Sequence, residues 1–208
     1  MEKLEEPKTP HLEWWVAQHA LPGQTKSGDH PLVQEFPHGM LLAAVDGLGH
    51  GCEAAAAAEV AVQVLRGYAH EPVLALVNRC HEALRGTRGV VMSLAQYDAR
   101  EGTVTWTGVG NVEGVALRPQ AGNGAVPTRL MQRRGVVGAR LPSLHVSTFP
   151  VQPRDLLILT TDGIAGDFDR ALNPDSPLQV LAEGILARHG RNNDDALILI
   201  ARIVEARA

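Results

Sequence analysis

Three stretches of this chain put a carboxylate at the end of an apolar run. Leu41–Gly51 reads LLAAVDGLGHG, Leu156–Gly163 reads LLILTTDG, and Asn192–Ile200 reads NNDDALILI. Acids at strand ends can face a common point. Oxygen ligands of this kind suit hard divalent cations such as Mg²⁺ and Mn²⁺. Cations held this way polarise a phosphoryl oxygen and make water a nucleophile at neutral pH. The chemistry these residues suit is hydrolysis of a phosphate ester.

Each acid also has a plainer reading. Asp46 precedes Gly47, whose carbonyl is free to join a coordination shell, and Gly49 and Gly51 keep the turn open. The same Asp-Gly could simply cap a helix, and for Asp46 alone both readings stand. Asp162-Gly163 repeats the pattern, against the alternative of a hairpin turn. Asp194 and Asp195 repel each other unless a cation or hydrogen bonds compensate; the alternative is a solvated turn. Asp29, in SGDHPLV, is a fourth candidate. His50 could protonate a leaving group or bond to phosphate, or be a surface residue of a glycine loop. Lys26 could attract phosphate or be a solvated loop lysine. The run Gly47–Gly51 has the wrong spacing for a dinucleotide loop. The sequence contains no P-loop, HExxH, CxxC or GxSxG.

The elements that must position these residues follow from the apolar pattern. Residues 1–11 read as an N-terminal lead and 12–208 as one domain. A strand is expected over 12–20, then a turn-rich loop, then a hairpin of strands 31–36 and 40–45 ending at Asp46. Residues 52–67 form the clearest helix, with Ala54, Ala57, Ala58, Ala61 and Leu65 on one face. A second helix is expected over about 72–84. From Gly89 to Arg118 the pattern becomes an antiparallel meander. A polar loop, 119–127, leads to short strands near 128–133, 143–149 and 155–161. A helix over about 177–189 and a strand over 196–204 close the order. Helices segregate from strands, so the class is α+β. Nine or ten short strands suit two packed antiparallel sheets.

Bulk properties exclude several classes. The 208 residues are 45% apolar and 20% charged, as in ordinary globular proteins. A net charge of -4 and a pI near 6.1 disfavour a nucleic-acid binder. The only adjacent basic pair is Arg133-Arg134. Two cysteines, Cys52 and Cys80, make no disulfide framework and read as reduced thiols. No stretch has the roughly 18 apolar residues of a membrane span, and the charged N-terminus is no signal peptide. A cytoplasmic protein is expected.

The run SGD (27–29), DGLGHG (46–51), TTDG (160–163) and NDDAL (193–197), in that order, resembles the PPM-type (type 2C) serine/threonine phosphatases. DGxGHG followed by an Ala-rich helix is similar to their bacterial SpoIIE/RsbU/RsbX branch. The resemblance spans residues 12 to 204. It implies a four-layer α-β-β-α sandwich with two Mn²⁺ or Mg²⁺ ions at one end. Asp46 would bridge both ions, and the Gly47 carbonyl would complete one site. Asp162 and Asp194 would hold one ion with Asp46, Asp29 would support the other, and Asp195 is a further metal candidate. Two cations roughly 3.5–4 Å apart would activate a bridging water, with no phosphoenzyme. The chain carries no recognisable sensory extension, which points to the stressosome phosphatases of the branch. Their partners would be phosphorylated STAS-domain proteins, with no nucleic acid or membrane and a monomer favoured. An anti-sigma-factor antagonist as substrate, or a catalytically silent binding module, are the alternatives. Departures are Gly110-Asn111-Val112 where many members have Gly-Asp-Ser, Leu197 where threonine is common, and no phosphate-gripping arginine near Lys26.

Overall fold

Side chains alternate across a strand, so each strand of a two-sheet sandwich has one face toward a helix layer and one toward the other sheet. Strand β3 (Gly39–Gly47) shows it well. Leu41, Ala43 and Val45 pack with the buried faces of two helices, whereas Met40, Leu42 and Ala44 join the inter-sheet core. The computed structural model describes residues 12–120, 125–169 and 172–205. The expected lead, 1–11, and the middle of the expected 119–127 loop lie outside the described residues.

The remaining strands are β1 (Leu12–His19), β2 (Asp29–Phe36), β4 (Val90–Asp98), β5 (Thr103–Val109), β6 (Glu113–Pro119), β7 (Ala125–Arg129), β8 (Ser147–Pro150), β9 (Leu156–Thr160) and β10 (Ala196–Ile203). One sheet has the order β1-β10-β9-β6-β7 and the other β2-β3-β4-β5-β8, and every pairing is antiparallel. Helices α1 (Cys52–Gly67) and α2 (Val73–Ala83) cover the second sheet, and α3 (Leu178–His189) covers the first. This is the expected four-layer α-β-β-α arrangement of two packed sheets.

Helix α1 buries Ala54, Ala55, Ala57, Ala58, Ala61, Val62 and Leu65, which contains the face read from the sequence. Small side chains let it lie close to the sheet. Cys80 on α2 is buried, and that burial pushes its thiol up to about 12. Cys52 is exposed, and both cysteines are free. No described helix is long and apolar enough to cross a membrane.

Two strands differ from expectation. β7 spans Ala125–Arg129 rather than 128–133, because its register runs along β6 with Pro127 opposite Leu117. β7 is an edge strand, where proline removes no needed donor. β8 is only Ser147–Pro150, paired to the β5 stretch Thr103–Trp106, so residues 143–146 stay irregular.

Candidate active site

The alternation that layers the sandwich also aims the acids. Asp46 has the parity of Met40, Leu42 and Ala44, so it emerges at the mouth between the sheets. The β2–β3 register sets Asp29 directly opposite Asp46. Like charges opposite each other normally destabilise a sheet. Thr161, Asp162, Asp194 and Asp195 reach the same mouth from the ends of β9 and β10. Asp46, Asp162, Asp194 and His50 line one cavity of about 470 Å³, together with Leu21 and Asn111.

Both Asp-Gly steps are packing devices, and Asp162-Gly163 also forms the centre of a turn closed by the Ile164 N–H on the Thr161 carbonyl at 3.0 Å. A Cβ on Gly47 would lie 2.0 Å from the Ala54 carbonyl oxygen, and one on Gly163 would lie 1.9 Å from the Asp195 carbonyl oxygen. Any side chain would push α1 off the first acid or the start of β10 off the second. The cap reading of Asp46 also falls away: α1 is preceded by Gly51 at φ 78°, and its Ala55 N–H donates to the Gly51 carbonyl.

Electrostatically the site lacks compensation. Burial, then repulsion from Asp29, Asp162, Asp194 and Asp195, raises Asp46 to about 8. Burial raises Asp29 to about 7, although a hydrogen bond from Thr161 opposes it. Asp162 is raised by burial and by Asp194, against the opposing pull of Arg191 and a bond from Asn111. Burial and mutual repulsion both disfavour the charged carboxylates, and a cation would relieve both.

The structure distinguishes the adjacent aspartates. Asp195 is 4% exposed, and both of its oxygens are occupied. The Leu21 N–H donates to Oδ1 and the Gly28 N–H to Oδ2, each at 2.7 Å. Asp195 is a metal candidate by sequence; in the structure its two oxygens fasten both ends of the 21–28 loop. Asp194 faces the cavity and, among the described residues, accepts only the Asp195 N–H, at 2.9 Å.

Thr161 is the residue the sequence reading missed. It is buried, its hydroxyl donates to Asp29 at 2.6 Å, and it accepts the Leu197 N–H at 2.9 Å. One side chain thus joins β2, β9 and β10 beneath the acids. Its parity with Leu157 and Leu159 was the available signal. Asn111, noted only for lacking charge, donates its amide to Asp162 at 2.7 Å. His50 is exposed at the cavity rim. Lys26 is not in the cavity; it lines an adjoining hollow with Ser27, Asp29 and Cys52. Arg88 stands over Gly49 and pairs with Glu53. A more apolar cavity of about 520 Å³, between the edges of β6, β7 and β8, contains none of the clustered acids.

A divalent centre fits this donor set by type, since every candidate ligand is oxygen and the charges are uncompensated. Among the described residues no group of three His, Cys, Asp or Glu forms a closed ligand set as it stands.

Comparison with known proteins agrees with this arrangement. Residues 36–204 match the family model for Stage II sporulation protein E (SpoIIE). The chain is 24% identical over 154 residues to phosphoserine phosphatase RsbX of Bacillus subtilis (strain 168), covering 74% of this chain and 75% of that protein. A structure solved in work on the bacterial stressosome as a modular system adapted to control secondary messenger signalling superposes with a TM-score of 0.78 at 29% identity, over 92% of this chain and 99% of that one. RsbX in complex with magnesium superposes with a TM-score of 0.83 at 20% identity, over 96% and 98%. The chain has the fold of the PPM-type phosphatases, is similar to RsbX, and belongs to the SpoIIE family.

Proposed function

We propose that this protein is a metal-dependent phosphatase that removes phosphate from serine or threonine of stressosome STAS-domain proteins, resetting a stress signal. The observation that carries it is the pairing of Asp29 with Asp46 at the sandwich mouth, two acids raised to about 7 and about 8 by burial and by the neighbouring carboxylates. The stressosome assignment draws on the RsbX-like relatives. Asp46, the Gly47 carbonyl, Asp162 and Asp194 would hold two Mn²⁺ or Mg²⁺ ions, with Asp29 supporting one of them. When bound, the ions supply positive charge that steadies phosphoryl oxygens and acidifies water. Water attacks phosphorus in line, the bond from phosphorus to the serine or threonine oxygen breaks, and that oxygen takes a proton. His50, which lines the cavity, would give it. Lys26, in the adjoining hollow, contributes long-range attraction for a phosphate. Asp195 acts through the 21–28 loop. We take residues 12–208 as one catalytic domain, working as a monomer in the cytoplasm.

The second reading is a binding module of the same fold. It draws on the lack of a closed three-ligand group among the described residues. One experiment separates the two: phosphate release from a phosphorylated STAS-domain protein, with and without Mn²⁺, by wild type and Asp46→Asn. Metal-dependent release by wild type alone is expected. Turnover retained in Asp46→Asn would remove Asp46 as a ligand. Release by neither protein, on this substrate or on a phosphorylated anti-sigma-factor antagonist, would favour the binding module.

A further inference from the structure

The chain's one basic pair, Arg133-Arg134, sits on a fixed mount beside the site. Leu130 N–H donates to the Gly114 carbonyl at 2.9 Å, Arg133 N–H to Gly108 at 3.0 Å, and Gly110 N–H to the Arg133 carbonyl at 2.8 Å. Val90 and Val137 exchange a further pair of bonds, each 2.9 Å. The backbone carrying Arg134 is therefore tied to β5 and β6 and to the start of β4.

Between this segment and the start of β6 lies a cleft of about 410 Å³, lined by Asn111, Glu113, Arg129, Gln132 and Arg134 among others. Asn111 also lines the carboxylate cavity, and its amide bonds to Asp162 there. The cleft and the cavity therefore share a wall. A chain with its phosphorylated residue at Asp162 has this cleft as a place for its neighbours.

The charges in the cleft are unequal in their freedom. Arg129 donates to Glu113 at 2.8 Å and to Asp169 at 3.0 Å, so both acids are already engaged. Gln132 spends its amide on the Val112 carbonyl. Arg134 is exposed and forms no ion pair or side-chain hydrogen bond among the described residues. A guanidinium offers a planar fork that matches a carboxylate. Glu113 in the same cleft disfavours a doubly charged group, so a single carboxylate suits the site better than a second phosphate.

We propose that this cleft takes the polypeptide flanking the phosphorylated residue, and that Arg134 selects an acidic side chain at one flanking position. This rests on the phosphatase reading above. The test is kcat/KM with Mn²⁺ on a panel of phosphoserine peptides that differ only in which flanking position carries Glu or Gln. Wild type prefers Glu over Gln at one position by roughly two- to fivefold, the range of a solvent-exposed ion pair. Arg134→Ala brings that ratio to about one, and Arg134→Glu inverts it; raised salt shrinks the wild-type ratio. Arg134 is exposed, so these variants keep the fold, and circular dichroism checks that they do. A wild type indifferent to Glu at every position, or a preference that survives Arg134→Ala, overturns the assignment and leaves the phosphatase reading intact. No release from any peptide by a wild type that does release phosphate from the STAS-domain protein overturns this proposal alone; no release from either removes the phosphatase reading and this proposal with it.

Discussion

Replacing Asp195 by alanine tests whether two neighbouring aspartates do different work. The Gly28 N–H is buried and would lose its acceptor outright, at a cost of about 2–3 kcal/mol for a bond to a charged group. The Leu21 N–H is only part-buried, so water can replace the lost carboxylate and the cost there is about 1 kcal/mol. The sum, about 3–4 kcal/mol, corresponds to a fall in Tm of roughly 6–16 °C for a chain of this size. Asp194→Ala loses one local bond to a neighbouring amide and should shift Tm by less than about 3 °C. Metal affinity should separate the pair in the opposite sense. Isothermal titration with Mn²⁺ should show Asp194→Ala weakened at least about tenfold, the scale of losing contacts to a bound metal. The assays are thermal unfolding in chelator and calorimetry with Mn²⁺. An Asp195→Ala protein that melts with wild type yet loses Mn²⁺ would make Asp195 a ligand and refute the clamp.

Three further outcomes follow from the same geometry. Asp46→Asn should raise the Tm of chelated protein, since the fold no longer buries an acid among acids; a lower Tm would mean that Asp46 has a stabilising partner. That gain should depend on pH. Asp46 is raised from 3.8 to about 8 in the fold, so between about pH 4 and pH 8 the folded state holds a proton the unfolded chain has released. Wild-type stability is therefore lost as pH rises through that window. The Tm gap in favour of Asp46→Asn should widen from about pH 5 to pH 8; a gap that narrows would reverse the sign. Thr161→Val should cost about 2–4 kcal/mol in urea unfolding, because Asp29 loses a donor and Leu197 N–H loses an acceptor in a dry site. Thr161→Ser keeps the hydroxyl and should recover most of that loss; equal losses in both would trace the effect to the methyl group.

The acids were legible because each breaks a local rule. Asp46, Asp162 and Asp194 stand at the ends of apolar strands where a small polar residue would have served, and conflicts of that kind gather at functional sites. The layers were legible because alternation and the Ala-rich face of α1 are periodic signals. What stayed hidden depends on register and on contacts distant in sequence. Nothing in NDDAL says which aspartate meets the 21–28 loop; the parity of β10 decides it, and that parity is known only once the strand is paired. Thr161 looks like any strand-end threonine until β2 lies beside it. The bounds of β7 were misplaced because its partner β6, rather than its own Pro-bearing sequence, sets its extent.

The clamp at Asp195 also orders events during folding. It joins residues 174 and 167 positions apart, and the Thr161 bond to Asp29 spans 132. Contacts between such remote parts of a chain close late, after shorter loops have met their entropy cost. As the chain leaves the ribosome, β2, β3 and the Gly47–Gly51 loop are available early, while β10 follows the other described elements. A partial chain that stops before β10 has Asp29 and Asp46 but neither Asp194 nor the clasp on residues 21–28. Closing of the sandwich and convergence of the acids at its mouth are thus one event.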